Sequence, residues 1–281
     1  LELAPVAANM AGLTGDNINM VNVAISMFTL AVGVIGSVAF RGFMSIIPIL
    51  FGVVCGYVFA AIMGIVNFQP VIDAPWFQVP HFYAPVFDIN AIMIIAPAAL
   101  VVLAEHIGHL VVTGNIVDRD LIKDPGLSRS LFADGLSNVI SGFAGATPNT
   151  TYGENIGVMA ITKVYSTWVI GGAAVMAIIL SFCGKLSELI HSIPVPVMGG
   201  ICILLFGVIA ASGIRVLVER QVDYSKSSNL VMTSVIMIIG LSGAKLSFGA
   251  FSVQGMVLAT VVAIIMSLIF KLFESLHLLN E

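Results

Sequence analysis

Long apolar runs alternate with short polar stretches along the chain. Most of these runs have the ~20 residues that an α-helix needs to cross about 30 Å of hydrocarbon. The run at 230–241 reaches a full span only with flanking residues, and we interpret the short run at 1–13 as the end of a helix that begins before residue 1. We predict membrane helices at residues 18–39, 43–66, 89–117, 164–182, 195–218, 230–241 and 251–272.

The region 131–163 interrupts this pattern. Its central stretch, 141–157, contains Pro148 together with several Asn, Thr and Gly residues, and these cannot form a continuous membrane helix. Irregular backbone at membrane depth persists only where protein or a water-filled cavity covers it. We predict a short extended piece at 147–152 and a half-helix that begins near Gly153, an arrangement typical of transporter binding sites. A polar external loop is the weaker alternative, because the stretch 141–157 has no Lys or Arg.

The second predicted helix contains glycines that are spaced for close packing. Gly52 and Gly56 form a G-x-x-x-G pattern, which places two residues without side chains on one helix face. We interpret this face as packing within the chain, and a homodimer interface is the alternative.

The composition indicates that lipid is the solvent for much of the surface. Of the 281 residues, 59% are hydrophobic and only 9% are charged, whereas soluble domains carry about 25% charged residues. The mean hydropathy is +1.08. This balance excludes most classes of soluble enzyme. Cys55, Cys183 and Cys202 are scattered and form no C-x-x-C pair, so we interpret them as packing residues.

Lysine and arginine residues indicate the orientation of the chain. If the predicted helices cross in order and the region 131–163 crosses out and back, all but two of the 11 Lys and Arg residues fall on one side. The two exceptions are Lys185 and Lys245. Positive residues concentrate on the cytoplasmic side, so we predict a cytoplasmic C-terminus and an external loop at 67–88.

Three ionisable residues lie within the predicted helix 89–117. Glu105, His106 and His109 occur in the sequence VVLAEHIGHLVV, where a charge at the bilayer centre would cost about 2.5–3.5 kcal/mol. Glu105 and His109 are four residues apart and share one helix face, and Gly108 on that side would admit another group. We predict that this face borders a polar cavity and that His106 makes a structural hydrogen bond.

Glu154 follows the first residue of the predicted half-helix. A helix N-terminus offers free N–H donors and partial positive charge, which favour this carboxylate, and the Gly153 N–H could donate to a substrate carbonyl. A simple charge partner for the helix is the alternative. Two carboxylates beside backbone donors suit a planar, amide-like ring. A buried carboxyl with His109 as relay could load and release a proton.

Residues 154–163 resemble the signature of the nucleobase–ascorbate transporter family. In that signature Gln, Glu or Pro is followed by Asn-x-Gly-x4-Thr and then by Arg, Lys or Gly. The matching positions are Glu154, Asn155, Gly157, Thr162 and Lys163. The stretches AEHIGHLVV, NTTYGENIGVMAIT, STWVIGG and GIRVL extend the resemblance over nearly the whole chain.

This resemblance implies an all-α polytopic membrane protein with a fourteen-segment inverted-repeat transporter fold. Its core domain would contain broken helices and a short strand, and this chain would form roughly the C-terminal two thirds. Gate-domain helices are expected at 1–88 and 193–281, and the second half of the core domain, with the substrate site, at 89–192. The expected location is the bacterial cytoplasmic (inner) membrane.

The resemblance also implies symport of uracil with protons, without a cofactor or a metal. Glu105 and Glu154 would hydrogen-bond the pyrimidine ring, and the Gly153 N–H would meet a carbonyl oxygen. Tyr152 would lie on the adjoining extended piece. His109 would assist proton coupling near Glu105.

Two features depart from the family pattern. The first segments of the family, which include a half-helix, a short strand and an aromatic contact to the base, are expected before residue 1. Phe206 stands where a tyrosine on the gate side is expected, so a hydroxyl group is lost there.

Other functions are alternatives at this stage. A purine such as xanthine or urate fits the signature as well as uracil does. A membrane metalloenzyme could use Glu105, His106 and His109, but their spacing differs from the H-E-x-x-H motif of zinc enzymes. A purely structural membrane subunit would leave these three residues unexplained.

Overall fold

A computed structural model describes residues 3–14, 18–96, 98–219, 221–248 and 251–278. Within these ranges the strands β1 (Lys245–Phe248) and β2 (Phe251–Gln254) form one antiparallel sheet. The α-helices in the same ranges are α1 (Ala4–Met10), α2 (Met20–Ala39), α3 (Pro48–Ile62), α4 (Gln69–Asp73), α5 (Ile89–Ile95), α6 (Ala98–Val117), α7 (Leu127–Ala144), α8 (Gly153–Thr162), α9 (Thr167–Ser181), α10 (Gly184–His191), α11 (Val195–Glu219), α12 (Ser227–Leu241) and α13 (Gly255–Ser275).

Four helices in the described ranges are long and apolar enough to cross a membrane. They are α2, α6, the part of α11 that ends at Arg215 and the part of α13 that begins at Val257. The helices α9 and α10 are bent by 89° relative to each other. Taken together as one broken span, they are also long and apolar enough to cross a membrane. Most of the described residues are helical, and the prediction of an all-α polytopic membrane protein is confirmed.

Three of the predicted spans are divided or bent in the structure. Residues Gly42–Ile46 form a 3-10 helix, and α3 begins only at Pro48, whose fixed φ suits the first helical turn. The span predicted at 89–117 consists of the separate helices α5 and α6. The run at 164–182 leads into the bend between α9 and α10.

The predicted start of the helix at 251–272 was wrong. Residues Phe251–Gln254 form β2, in which Val253 lies opposite Leu246 of β1. Apolar and polar residues alternate in this stretch, which is the periodicity of a strand. Gly255 then has φ +53°, a conformation that glycine adopts without a steric penalty, and it turns the chain from the strand into α13.

The chain divides into two compact units, each described by itself. The first unit comprises residues 3–81 and 158–213, and the second comprises residues 82–157 and the described residues from 214 onward. The predicted division into gate and core segments is a functional one and stays a prediction.

Glycines bring α2 and α3 of the first unit into direct contact. A Cβ atom on Gly52 of α3 would lie 3.3 Å from the Cα atom of Gly33 on α2. A Cβ atom on Gly56 would overlap the side chain of Thr29, whose hydroxyl donates a 2.8 Å hydrogen bond to the Ile25 carbonyl. The interpretation of the G-x-x-x-G pattern as packing within the chain is confirmed.

The helix α11 packs on the same pair of helices through its first turns. Ile25 of α2, Ala60 of α3 and Val197 of α11 are fully buried together. A Cβ atom on Gly200 of α11 would overlap the carbonyl oxygen of Ser26 on α2. Small residues therefore set the spacing of these three helices, as is common where helices pack in lipid.

A methyl group at Gly200 is expected to destabilise the first unit, because it would meet a backbone oxygen that cannot rotate away. Overpacking of this kind costs about 1–3 kcal/mol, so Gly200→Ala should lower the melting temperature of the full-length protein in detergent by several degrees. Gly207→Ala on the same helix is the matched control, because its new Cβ atom would meet nothing within 4 Å. Equal melting temperatures for the two variants would contradict this account of the packing.

Candidate functional site

The helix α6 presents Glu105 and His109 on one face. The Oε1 atom of Glu105 lies 4.0 Å from Nε2 of His109, and the two side chains are 44% and 23% exposed, respectively. The predicted shared face is therefore confirmed. A Cβ atom on Gly108 would meet no atom within 4 Å, so within the described residues the space beside this glycine is open.

His106 points away from this face into protein. Its ring is only 3% exposed, and Nε2 shares a 2.7 Å hydrogen bond with the hydroxyl of Ser130 on α7. The predicted structural hydrogen bond is confirmed. The buried Nδ1 atom has no hydrogen-bond partner among the described residues. His106 thus links α6 to α7.

The chain breaks between α7 and α8. Gly145 follows α7 in the left-handed conformation, with φ +77°, and a Cβ atom on it would lie 2.7 Å from the backbone nitrogen of Tyr83. Residues 146–152 lie outside helices and strands, and α8 begins at Gly153. The predicted break and the predicted start of the half-helix are confirmed, whereas the structure describes no strand pairing for the piece at 147–152.

Polar side chains of α7 hold the broken segment at Asn149. The Oδ1 atom of Asn138 accepts from the Asn149 N–H, and Nδ2 of Asn138 donates to the Asn149 carbonyl, both at 2.8 Å. The Asn149 side chain accepts from Ser137 Oγ at 2.8 Å and donates to Ser141 Oγ at 2.9 Å. These contacts replace the helical hydrogen bonds that the break removes, and buried backbone groups require such partners.

His109 contacts the end of the broken segment. Its Nδ1 atom shares a 2.8 Å hydrogen bond with the hydroxyl of Thr151. A Cβ atom on Gly153 would lie 3.0 Å from Nε2 of His109, so the ring packs directly against the first residue of α8. The structure thereby brings together Glu105, His109 and Gly153.

The remaining predicted contact residues lie next to this cluster along the chain. Tyr152 is 64% exposed. The backbone of Glu154 lies in the first turn of α8, and its side chain is outside the described residues. Asn155 and Gly157 are exposed.

The last two positions of the signature terminate α8. The Thr162 hydroxyl donates to the Val158 carbonyl at 2.9 Å. Lys163 adopts a left-handed conformation with φ +55°, and its N–H donates to the Met159 carbonyl at 2.9 Å. A left-handed residue after the last turn is a common way to end a helix. Thr162 and Lys163 therefore determine where the half-helix α8 ends.

The cluster offers both acid–base and hydrogen-bonding chemistry. The Glu105 carboxylate and the His109 imidazole, 4.0 Å apart, are both acid–base groups, and the N-terminus of α8 supplies backbone donors that no residue of the same helix can satisfy. Within the described residues, no group of three or more His, Cys, Asp and Glu side chains could hold a metal ion. The arrangement suits reversible binding of a polar molecule and of a proton.

The sequence analysis missed two parts of this site. It did not single out Thr151, the hydrogen-bond partner of His109, or Asn138, the partner of the Asn149 backbone. A signal was present, because Ser137, Asn138 and Ser141 are polar residues on one side of α7. Which backbone group they would meet depends on the path of the broken segment, and no residue pattern shows that path.

Two loop carboxylates lie outside this site and the membrane-spanning helices. The Lys123 ammonium, 3.0 Å from Asp120 Oδ2, donates a hydrogen bond that lowers the pKa of the Asp120 carboxyl. The hydroxyl and N–H of Ser225 donate to Asp223 at 2.6 and 2.9 Å and lower the pKa of that carboxyl too. Both groups therefore stay ionised at neutral pH, and they lie in the loops after α6 and α11.

Apolar helices with ionisable groups beside a broken helix are a combination typical of polytopic membrane transporters. The chain belongs to the permease family, whose Xan_ur_permease model matches residues 1–249. Proteins of this kind are transporters rather than enzymes. The family resemblance of the signature at 154–163 is thereby confirmed.

Curated relatives match nearly all of the chain. It is 63% identical to a uracil permease of Escherichia coli strain K12 over 99% of this chain and 65% of that protein. It is 59% identical to a uracil permease of Paenibacillus larvae over 100% of this chain and 68% of that protein. Identity to a uracil permease of Bacillus subtilis is 46% over 96% of this chain and 65% of that protein. The chain thus spans about two thirds of the length of these relatives.

Proposed function

We propose that the full-length protein takes up uracil together with protons across the bacterial cytoplasmic membrane. The observation that carries this proposal is the position of His109, which lies within 4.0 Å of the Glu105 carboxylate and shares a 2.8 Å hydrogen bond with Thr151 of the broken segment. A group that can bind a proton is thus in contact with the backbone that could bind a substrate. The names of the relatives supply uracil as the substrate.

Uracil presents ring N–H donors and carbonyl acceptors in one plane. In the proposed site the Glu105 and Glu154 carboxylates accept from ring N–H groups, and the Gly153 N–H donates to a carbonyl oxygen. Tyr152 lies beside the ring on the adjoining piece of chain. Binding of uracil favours one protonation state of Glu105, and His109 shares the proton with Glu105. The binding of uracil and the binding of a proton are therefore coupled.

The family supports further proposals about the whole protein. Residues 89–192 form the second half of a core domain, and residues 1–88 and 193–281 form gate helices. The C-terminus is cytoplasmic, as the Lys and Arg distribution indicates. Assembly as a homodimer is also proposed, although not through Gly52 and Gly56, which pack against α2. No cofactor takes part, and the proton gradient drives uptake.

Uptake of labelled uracil by cells that express the full-length protein tests the proposal. Accumulation should disappear when an uncoupler collapses the proton gradient. Glu105→Gln keeps the shape of the side chain but cannot carry a proton, so we expect its initial rate of uptake to fall at least ~10-fold, which corresponds to about 1.4 kcal/mol in activation free energy. Accumulation that resists the uncoupler would exclude symport with protons, and normal uptake by the variant would exclude Glu105 as the proton carrier.

Excess unlabelled xanthine should not compete with labelled uracil for uptake. Competition by xanthine but not by unlabelled uracil would indicate a purine transporter.

Gly153→Ala should weaken uracil binding, because the new methyl group would be 3.0 Å from His109 Nε2 and would push the imidazole ring of His109 away from the half-helix. We expect the dissociation constant to rise at least ~10-fold, as measured by binding of labelled uracil to purified protein, which corresponds to about 1.4 kcal/mol of binding free energy. Gly135→Ala on α7 is the control, because its Cβ atom would meet nothing within 4 Å. Equal affinities for both variants would contradict a role for the contact between His109 and Gly153.

A further inference from the structure

We infer that Asn138 is a positioning residue for the substrate site. Its side-chain amide holds the backbone of the broken segment at the place from which Thr151 and Gly153 meet His109. This inference rests on the proposed uracil site and assigns to α7 a role in shaping it.

The chemistry of a carboxamide explains why this position carries Asn. The Asn138 side chain has one acceptor and one donor in a plane, and it bonds the N–H and the carbonyl of the same residue, Asn149, at 2.8 Å each. A neighbouring β-strand bonds a residue in the same two-fold way. A carboxylate at this position would lack the donor, and an aliphatic side chain would offer neither group.

Asn138 is itself held in place by its own helix. Its Nδ2 atom also donates to the Asp134 carbonyl at 3.0 Å, one turn earlier on α7. This second hydrogen bond fixes which end of the amide is the donor. The helix α7 therefore presents a preoriented donor and acceptor to the broken segment.

Only one residue separates Asn149 from Thr151. Fixing the backbone at Asn149 therefore restricts the position of Thr151, since consecutive Cα atoms are ~3.8 Å apart. Thr151 shares the 2.8 Å hydrogen bond with His109, and Gly153 begins the half-helix two residues later. A shift of the segment by one residue would bring Thr150 or Tyr152 to the place of Thr151. The hydrogen bonds of Asn138 thus act on the site through Thr151 and Gly153 and need no contact with substrate.

Substitutions of Asn149 and of Asn138 remove different hydrogen bonds of the broken segment, so their effects can be compared. Asn149→Ala removes the hydrogen bonds to Ser137 and Ser141 but leaves the backbone bonds to Asn138 intact. Asn138→Ala removes both backbone bonds. If backbone positioning is what matters, the Asn138 variant must be the more severe of the two.

The test combines hydrogen–deuterium exchange with uracil binding in the full-length protein in detergent. In Asn138→Ala we expect exchange at residues 149–152 to rise at least ~10-fold and the dissociation constant for uracil to rise at least ~10-fold, with smaller changes in Asn149→Ala. Asn138→Asp has nearly the same size and lacks only the donor, so it serves if the alanine variant does not fold. Asn229→Ala is the matched control, because Asn229 on α12 also donates from its side chain to a loop carbonyl, that of Asp223, at 2.9 Å; it should change neither quantity.

Each outcome separates the inference from the proposed function. Unchanged exchange at 149–152 in both Asn138 variants, or faster exchange with a dissociation constant within twofold of the parent, would overturn the positioning role. Faster exchange with weaker binding in the Asn138 variants, and not in the control, supports it. If the parent protein binds no uracil, the proposed function fails, and the exchange measurement alone decides whether Asn138 orders the segment.

Discussion

A broken helix in apolar surroundings leaves backbone N–H and carbonyl groups that must find partners within the protein, and the second unit is organised around this constraint. The segment 146–152 lies outside helices and strands. The side chain of Asn138 supplies a donor and an acceptor for its backbone, and Gly145 gives α7 a tight end against Tyr83. The half-helix α8 can then begin at Gly153, where its first N–H groups have no partners within the helix. The break is stable because one face of α7 is polar.

The first unit depends on close packing between its helices. Between helices in lipid there is little hydrophobic driving force, so close contact and satisfied polar groups provide the attraction. Gly52, Gly56 and Gly200 remove the side chains that would separate α2, α3 and α11. Thr29 and Ser26 lie at the contacts and bond to carbonyl groups within 2.8 Å. This unit is built from small side chains, whereas the second unit depends on specific hydrogen bonds.

Much of this architecture could be predicted from the sequence, because apolar runs and their interruption are local properties of the chain. The start of α8 at Gly153, the shared face of Glu105 and His109, and the packing of Gly52 and Gly56 all follow from spacing. The strand at Phe251–Gln254 was missed, since its apolar residues continue directly into a helix and only the φ of Gly255 separates them. The bonds of Asn138 and Thr151 were missed for another reason. They join residues 11 and 42 positions apart in sequence, and only the folded path of the chain decides which polar groups meet.

The helix α7 is bonded on two sides: through Ser130 to His106 on α6, and through Asn138 to the broken segment. It therefore holds α6, which carries Glu105 and His109, and the segment that leads to Gly153 in a fixed arrangement. A movement of α7 would therefore move α6 and the broken segment together. On the proposed function, these two attachments would link the release of the proton to the release of uracil and so limit slippage, in which a proton returns without uracil and the gradient is spent without uptake.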